Sequence, residues 1–206
     1  MKKIHIAIWL SLSLVLALFC CACAQASEIK QKDSLLHQFT VKPDAVTVLN
    51  LRGGMDIDTA LSKLGLTRDA CKHVESDGKS YYQPLEGYSF SEFGNYTTDI
   101  LLSFDESGLS NISYNVAFWN TSFEDAFKLA QESFESIDSY LNVEGYTFGA
   151  ALDDIAEGDL LDQSFMKQWK IGDQNLYFSL THQDWSNAKN HTDNESVVSI
   201  QFNIGF

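Results

Sequence analysis

Hydrophobic and polar residues alternate one by one in several parts of the chain, which is the pattern of a β-strand with one buried face. The clearest run ends the sequence at 198–206, where apolar residues occupy every second position. Strict alternation also marks residues 112–118. Similar patterns predict further strands at 88–91, 100–104, 143–148, 165–171 and 176–180. Turn-forming residues at 105–108 and 172–175 separate neighbouring strands.

Two segments instead repeat their apolar residues every three or four positions, which predicts a helix with one buried face. The first lies between Asp56, a residue type that caps helices, and Gly65, where a helix can end. The second follows Ser122 and has Glu124 and Asp125 placed for a capping box. Its apolar stripe consists of Phe123, Ala126, Phe127, Ala130, Phe134, Ile137 and Leu141.

Each half of the chain therefore has a helix followed by about four antiparallel strands. A helix can cover the apolar face of such a sheet. We predict an α+β fold of two tandem repeats, each a helix packed on a roughly four-stranded antiparallel sheet. The first repeat spans 51–119 and the second 120–206, and residues 27–50 form a polar lead-in or tether. The repeat is one of pattern, since identity between the halves is slight.

Part of the first half resembles a family of envelope proteins. The residues similar to the first-helix motif of SmpA/OmlA-type lipoproteins are Gly54-Met55, Ala60-Leu61 and Leu64-Gly65. Residues 102–109 resemble a hairpin later in that unit, and two units in tandem resemble the beta-lactamase inhibitor protein family. The resemblance covers about residues 53–116 and implies helix-on-sheet units that bind proteins. It also implies a disulfide in each half, which this chain cannot form, and we transfer no inhibitory residue.

Residues 1–26 have the pattern of an export signal. Two lysines precede an apolar stretch that reaches Cys21. Two triplets of the small-x-small pattern follow, Ala22-Cys23-Ala24 and Ala24-Gln25-Ala26. Because signal peptidase requires small residues before its cleavage site, we expect cleavage after Ala26. Two alternatives stay open: Cys23 could be lipidated as in a bacterial lipoprotein, or an uncleaved signal could remain as an anchor. Secretion and lipidation both place the folded chain outside the cytoplasm.

Composition narrows the class of protein further. The chain has 206 residues, 45% hydrophobic and 20% charged, which is typical of a folded domain and not of a disordered chain. Its 28 acidic and 14 basic residues give a formal net charge of −14, which excludes nucleic acid as the default partner. Three of the four cysteines lie in the predicted signal, so Cys71 has no partner for an internal disulfide once the signal is removed.

No catalytic motif stands out among the polar residues. Cys71 and His73 could act as nucleophile and base, but the sequence offers no third group to orient the base. His182 and His191, with nearby aspartates, could bind zinc, but their spacing fits no compact motif. Pairs of acidic residues could hydrolyse a sugar, yet 28 acids produce such pairs by chance. We therefore predict no catalytic residue, no metal site and no cofactor, and the role of Cys71 stays open.

Apolar residues at the outward positions of the predicted strands are the best candidates for a binding site. If residues 112–118 bury their apolar side, Trp119 faces away from the core, and the same argument applies to Leu101 and Tyr177. Trp185 lies in the polar loop before the last strand. A sheet face with Trp and Tyr is common at protein and ligand surfaces. Contact between the two halves would bury the same side chains and is the structural alternative.

These patterns predict a non-enzymatic interaction module of the cell envelope or the extracellular space. We expect it to bind another envelope or secreted protein through an open aromatic sheet face, and to touch a membrane only through a lipid anchor. Two alternatives stay open. One is a small-ligand-binding protein with an aromatic cleft between the halves, and the other is a secreted hydrolase.

Overall fold

The computed structural model describes residues 30–32, 34–119, 121–155, 163–184 and 196–206. The elements of these residues are β1 (Lys30–Lys32), β2 (Phe39–Lys42), β3 (Ala45–Val48), α1 (Ile57–Lys63), β4 (Cys71–Ser76), β5 (Lys79–Pro84), β6 (Tyr88–Phe90), β7 (Thr97–Asp105), β8 (Gly108–Ala117), α2 (Phe123–Leu141), β9 (Gly145–Gly149), β10 (Gln163–Ile171), β11 (Gln174–Asp184) and β12 (Ser196–Gly205). In this described part of the chain, neither helix has the length and hydropathy needed to cross a bilayer.

Ten of the strands form one large sheet, and β2 and β3 form a separate hairpin. The order along the sheet is β1-β6-β7-β8-β12-β11-β10-β9, and the β4–β5 hairpin also joins β7 through β5. Strand β1 runs parallel to β6, whereas all the other pairs are antiparallel. The sheet therefore combines strands from both ends of the sequence.

The predicted fold class of two tandem helix-on-sheet repeats is wrong. Strand β12 pairs with β8 from Ser199 opposite Ala117 to Gly205 opposite Asn111, and it pairs with β11 on its other side. The strands of both predicted halves thus share one sheet. Alternation shows that a strand has one buried face, but it does not show which strands are its neighbours. The domain boundary that we placed between residues 119 and 120 stays a prediction.

Both predicted helices are confirmed, together with their caps. The Asp56 side chain accepts from the Thr59 amide at 2.9 Å at the start of α1. The helix ends at Lys63, and Gly65 follows its C-cap with a φ of 71°, which permits the reversed hydrogen bonds of a Schellman cap. The Ser122 hydroxyl accepts from the Asp125 amide at 3.1 Å at the start of α2. The capping residues therefore predicted these helix ends correctly.

The core lies between the large sheet and α2, which packs on β12. Phe134 of α2 contacts Phe165, Trp169 and Phe178 of the second-half strands, with ring centroids 4.9, 6.3 and 5.4 Å apart. The apolar residues predicted to alternate inward on β7, β8, β11 and β12 are buried. The covered face of the sheet is thus the face that the sequence pattern predicted to be apolar.

The segment before α1 also contributes to this core. Phe39 of β2 packs edge-on against Phe202 at 5.8 Å, and Leu35 is fully buried. Glu92 holds the segment in place, since its carboxylate accepts hydrogen bonds from the Ser34 hydroxyl and the Leu35 amide. Burial raises the pKa of Glu92, but these hydrogen bonds outweigh burial and lower it below the usual value. Residues expected to act as a lead-in therefore cover part of the sheet.

A buried hydroxyl without a partner lies in the middle of the core. Tyr114 of β8 is fully buried between Phe90 and Phe202, and its hydroxyl has no hydrogen-bond partner among the described residues. Burial raises the pKa of the Tyr114 phenol strongly, so this group stays neutral. A buried polar group that makes no hydrogen bond destabilises the folded state, because it loses its bonds to water.

Replacing Tyr114 with Phe should therefore stabilise the protein by about 1 kcal/mol, because the ring remains and the desolvated hydroxyl is removed. Denaturant unfolding of the variant and the parent measures this difference. Tyr96→Phe is the matched control, since the Tyr96 hydroxyl lies 2.6 Å from the Thr121 hydroxyl and its loss should destabilise. A Tyr114→Phe variant less stable than the parent would contradict the prediction.

Candidate binding face

The two faces of the large sheet differ in what covers them. Side chains of one face pack on α2 and form the core, whereas the alternate residues point to the opposite side. We call this opposite side the open face. Exposed residues on it include Asp99 of β7, Met166 of β10 and Gln201 of β12.

The strand register arranges the open face in rows that cross the sheet. Directly paired residues of neighbouring strands point to the same side. The first row consists of Leu101, Ser113, Asn203, Tyr177, Gln168 and Tyr146. The second row consists of Asp99, Asn115, Gln201, Ser179, Met166 and Phe148. Each row therefore crosses six strands from β7 to β9.

The middle of the open face is polar but almost uncharged. Asp99 is the one charged residue in the two rows, although 20% of the chain is charged. Neighbouring side chains bind one another here: the Ser113 hydroxyl donates to the Asn203 side-chain oxygen at 2.5 Å, and Asn111 donates to Ser113 at 2.9 Å. A shallow depression of about 230 Å³ lies beside them. This region can exchange hydrogen bonds with a neutral ligand.

The end of the open face near β9 is apolar. Tyr146 and Phe148 of β9 are 76% and 50% exposed, and Met166 of β10 is 37% exposed. Partly exposed Tyr177 lies in the same row as Tyr146, with one strand between them. We call these four residues the aromatic corner. Three of the seven large exposed apolar side chains found in the described residues lie in it.

The structure separates the candidate site residues that the sequence suggested. Tyr177 lies in the aromatic corner, whereas Leu101 lies three strands away in the same row, at a distance of roughly 14 Å. Trp119 follows the end of β8 and is 53% exposed. Trp185 and Cys23 lie outside the described residues. Of the four binding residues that the sequence suggested, Tyr177 is the one that the structure places in the aromatic corner.

Sequence reasoning missed Tyr146, Phe148 and Met166. The first two occupy alternate positions in the predicted strand 143–148, and this spacing placed both on one face. Met166 follows Phe165, whose side chain is buried on the covered face, so parity alone directed Met166 outward. What the pattern did not contain was the pairing of β9 with β10, which brings these three side chains together.

The surroundings of Cys71, His73 and His182, the described candidates for catalysis or metal binding, do not form a reactive site. Cys71 is partly exposed, and burial raises the pKa of its thiol, which disfavours the nucleophilic thiolate. The His73 ring stacks on Tyr82 at 4.5 Å, and His182 is buried with its ring 4.7 Å from Phe123. The described residues contain no group of three His, Cys, Asp or Glu side chains able to hold a metal ion.

Comparison of the chain with protein-family models, with curated proteins and with solved structures finds no match. The resemblance to SmpA/OmlA-type lipoproteins stays a prediction from residues 53–116. The tandem arrangement that it implied is not the arrangement of the strands.

Proposed function

We propose that this chain is an exported, non-enzymatic binding module that docks onto another envelope or secreted protein through the aromatic corner. The observation that carries the proposal is the cluster of Tyr146, Phe148, Met166 and Tyr177 at one end of an otherwise polar sheet face. Contiguous apolar side chains on a surface favour contact with a partner, because contact removes them from water.

The chemistry of the corner fits a protein partner with an uncharged, apolar contact surface. Tyr, Phe and Met are enriched in the central parts of protein interfaces, and charged residues are depleted there. Polar groups beside the corner, such as Ser179 and Asn203, can form the hydrogen-bonding rim of such an interface. The net charge of −14 lies elsewhere on the chain and keeps the protein from associating without specificity.

The sequence supports a location outside the cytoplasm. Residues 1–26 have the pattern of an export signal, and these residues lie outside the described structure. A partner must then be a secreted protein or a protein of the cell envelope. Lipidation at Cys23 is the alternative that would hold both proteins at the same membrane surface.

A small polar ligand is the second candidate. The depression on the open face is lined by the Asp99 carboxylate and by hydroxyl and amide side chains that include Asn115, Ser179 and Gln201. These groups can bind a neutral ligand by hydrogen bonds. The alternative of an aromatic cleft between two halves has less support, since β8 and β12 form a continuous ladder where that cleft was expected.

Replacing Met166 and Tyr177 together with Ala should weaken partner binding by about tenfold or more, since buried aromatic and apolar anchors dominate interface energies. Cross-linked capture from the envelope and secreted fractions of the source organism identifies the partner. Titration of the purified partner then measures its affinity for the parent and the variant.

Two control variants locate the contact. Leu85→Ala removes a side chain that is 69% exposed outside the open face and should leave the affinity unchanged. Trp119→Ala tests the residue favoured by the sequence. A partner whose affinity depends on Trp119 but not on Met166 and Tyr177 would place the contact elsewhere and overturn the aromatic corner as the docking site.

A further inference from the structure

Within the described part of the chain, the outer strand β9 is an edge of the large sheet that no further strand or charged residue protects. Sheets usually protect their edge strands with charged residues or proline, because an open edge can pair with another chain. The two other outer strands carry such charges, with Lys30 and Lys32 in β1 and Lys72 and Glu75 in β4. The sequence of β9 is Gly-Tyr-Thr-Phe-Gly, and among the described residues this strand pairs only with β10.

The backbone of Thr147, the central residue of β9, points to the free edge. The Ala150 amide donates to the Ser164 carbonyl at 2.9 Å, and these residues continue the β9–β10 register. Hydrogen-bonded and non-hydrogen-bonded pairs alternate along an antiparallel ladder. Tyr146 and Phe148 therefore direct their backbone groups to β10, whereas Thr147 directs its N–H and C=O outward.

The sequence of β9 is complementary to itself. If a second β9 lies antiparallel with the two Thr147 residues opposite each other, these two form a hydrogen-bonded pair. Tyr146 of each copy then lies opposite Phe148 of the other in a non-hydrogen-bonded pair, where side chains approach most closely. The register thus forms two aromatic pairs and places the terminal glycines opposite each other.

We propose that β9 pairs with β9 of a second copy of this chain, in an antiparallel register centred on Thr147. The pairing creates a two-fold symmetric dimer in which the ten-stranded sheets of both copies are continuous. The two aromatic corners then join across the symmetry axis into one apolar surface. This inference goes beyond the proposed function, because it concerns assembly and does not require the docking partner.

Charge opposes this pairing at long range. Each copy has a formal net charge of −14, although β9 itself has no charged residue. Two such chains repel each other at low ionic strength, and salt screens the repulsion. The dimer should therefore become tighter as the salt concentration rises, which distinguishes it from an association held by ion pairs.

Thr147→Pro is the variant that separates pairing from folding. Its missing N–H faces the free edge, so the β9–β10 hydrogen bonds stay intact while both central donors of the dimer disappear. Sedimentation of the exported protein over a concentration series should show a monomer–dimer equilibrium that Thr147→Pro weakens by about tenfold or more. Thr147→Val keeps the N–H and should dimerise like the parent.

Cysteine trapping tests the register in a background whose other cysteines are serine. Thr147→Cys places two thiols opposite each other with Cα atoms about 5.5 Å apart, which lies within the range of disulfides. Tyr146→Cys faces Phe148 of the second copy and should not cross-link. A parent that stays monomeric at all concentrations and salts, or equal trapping at 146 and 147, would overturn the proposal even if Thr147→Pro does not fold.

The aromatic corner and the β9–β9 contact can be tested independently of each other. Met166→Ala with Tyr177→Ala leaves β9 unchanged, so this variant should still dimerise while it loses the docking partner. Thr147→Pro leaves Met166 and Tyr177 in place, so it should still bind the partner as a monomer. A dimer without any docking partner supports the pairing of β9 and removes the proposed function alone.

Discussion

Asp138→Ala is expected to destabilise the fold by about 2–4 kcal/mol, the largest loss that we expect from a single polar side chain among the described residues. Asp138 of α2 accepts from the Lys167 ammonium at 2.6 Å and from the Trp169 indole N–H at 2.9 Å. Trp169 is fully buried, and the Lys167 side chain is only 15% exposed. Alanine leaves both donors without their acceptor, and the charge of Lys167 then lies next to two aromatic rings.

Denaturant unfolding measures the loss, and two variants show its origin. Asp138→Asn keeps an oxygen for the indole but removes the charge, so its stability should lie between alanine and the parent. Glu132→Ala removes the exposed pair with Lys128 at 3.9 Å on the same helix and should change stability by at most about 0.5 kcal/mol. Equal losses of stability in Asp138→Ala and Glu132→Ala would contradict the prediction, because the Asp138 contacts would then contribute no more than an exposed ion pair.

Gly172→Ala is the second change with a large expected effect, again about 2–4 kcal/mol. Gly172 begins the turn between β10 and β11 and has a φ of 58°, which disfavours residues with a side chain. A methyl group there would lie 2.0 Å from the Asp44 carbonyl oxygen in the β2–β3 turn. The backbone must therefore move, and the contact between the small hairpin and the large sheet must open.

Gly78→Ala is the matched control for this prediction. Gly78 has a similar φ of 74° in the β4–β5 turn, but a methyl group there meets nothing within 4 Å. This variant measures the backbone preference alone, about 1–2 kcal/mol. Thermal or denaturant unfolding of both variants gives the steric contribution as their difference, and an equal loss at the two positions would contradict a close approach at Gly172.

The sequence predicted elements well where local chemistry determines them. The caps at Asp56 and Ser122 depend on residues three positions apart, and the strands with one buried face follow from alternation. The sequence did not predict strand β4. This strand is partly or fully exposed along its whole length and therefore has no alternation of apolar and polar residues to detect. Its pairing with β5, and not its own pattern, makes it a strand.

Non-local pairing limited the prediction of both the fold and the candidate site. The repeated element order suggested two sheets, because nothing in residues 198–206 indicates that they lie between β8 and β11. Parity placed Tyr177 outside the core, but its neighbours Gln168 and Tyr146 follow only from the register of three strands. The sequence therefore contained the exposed side chains and not their grouping.

The position of β12 has a consequence for how the chain reaches its native state. Among the described strands it comes last in the chain, yet it lies inside the large sheet. Its neighbours there are β11, which directly precedes it, and β8, which ends far earlier at Ala117. Contacts between distant residues slow folding, since long loops must close before those contacts can form. A chain that emerges from its N-terminal end cannot complete the sheet until β12 arrives.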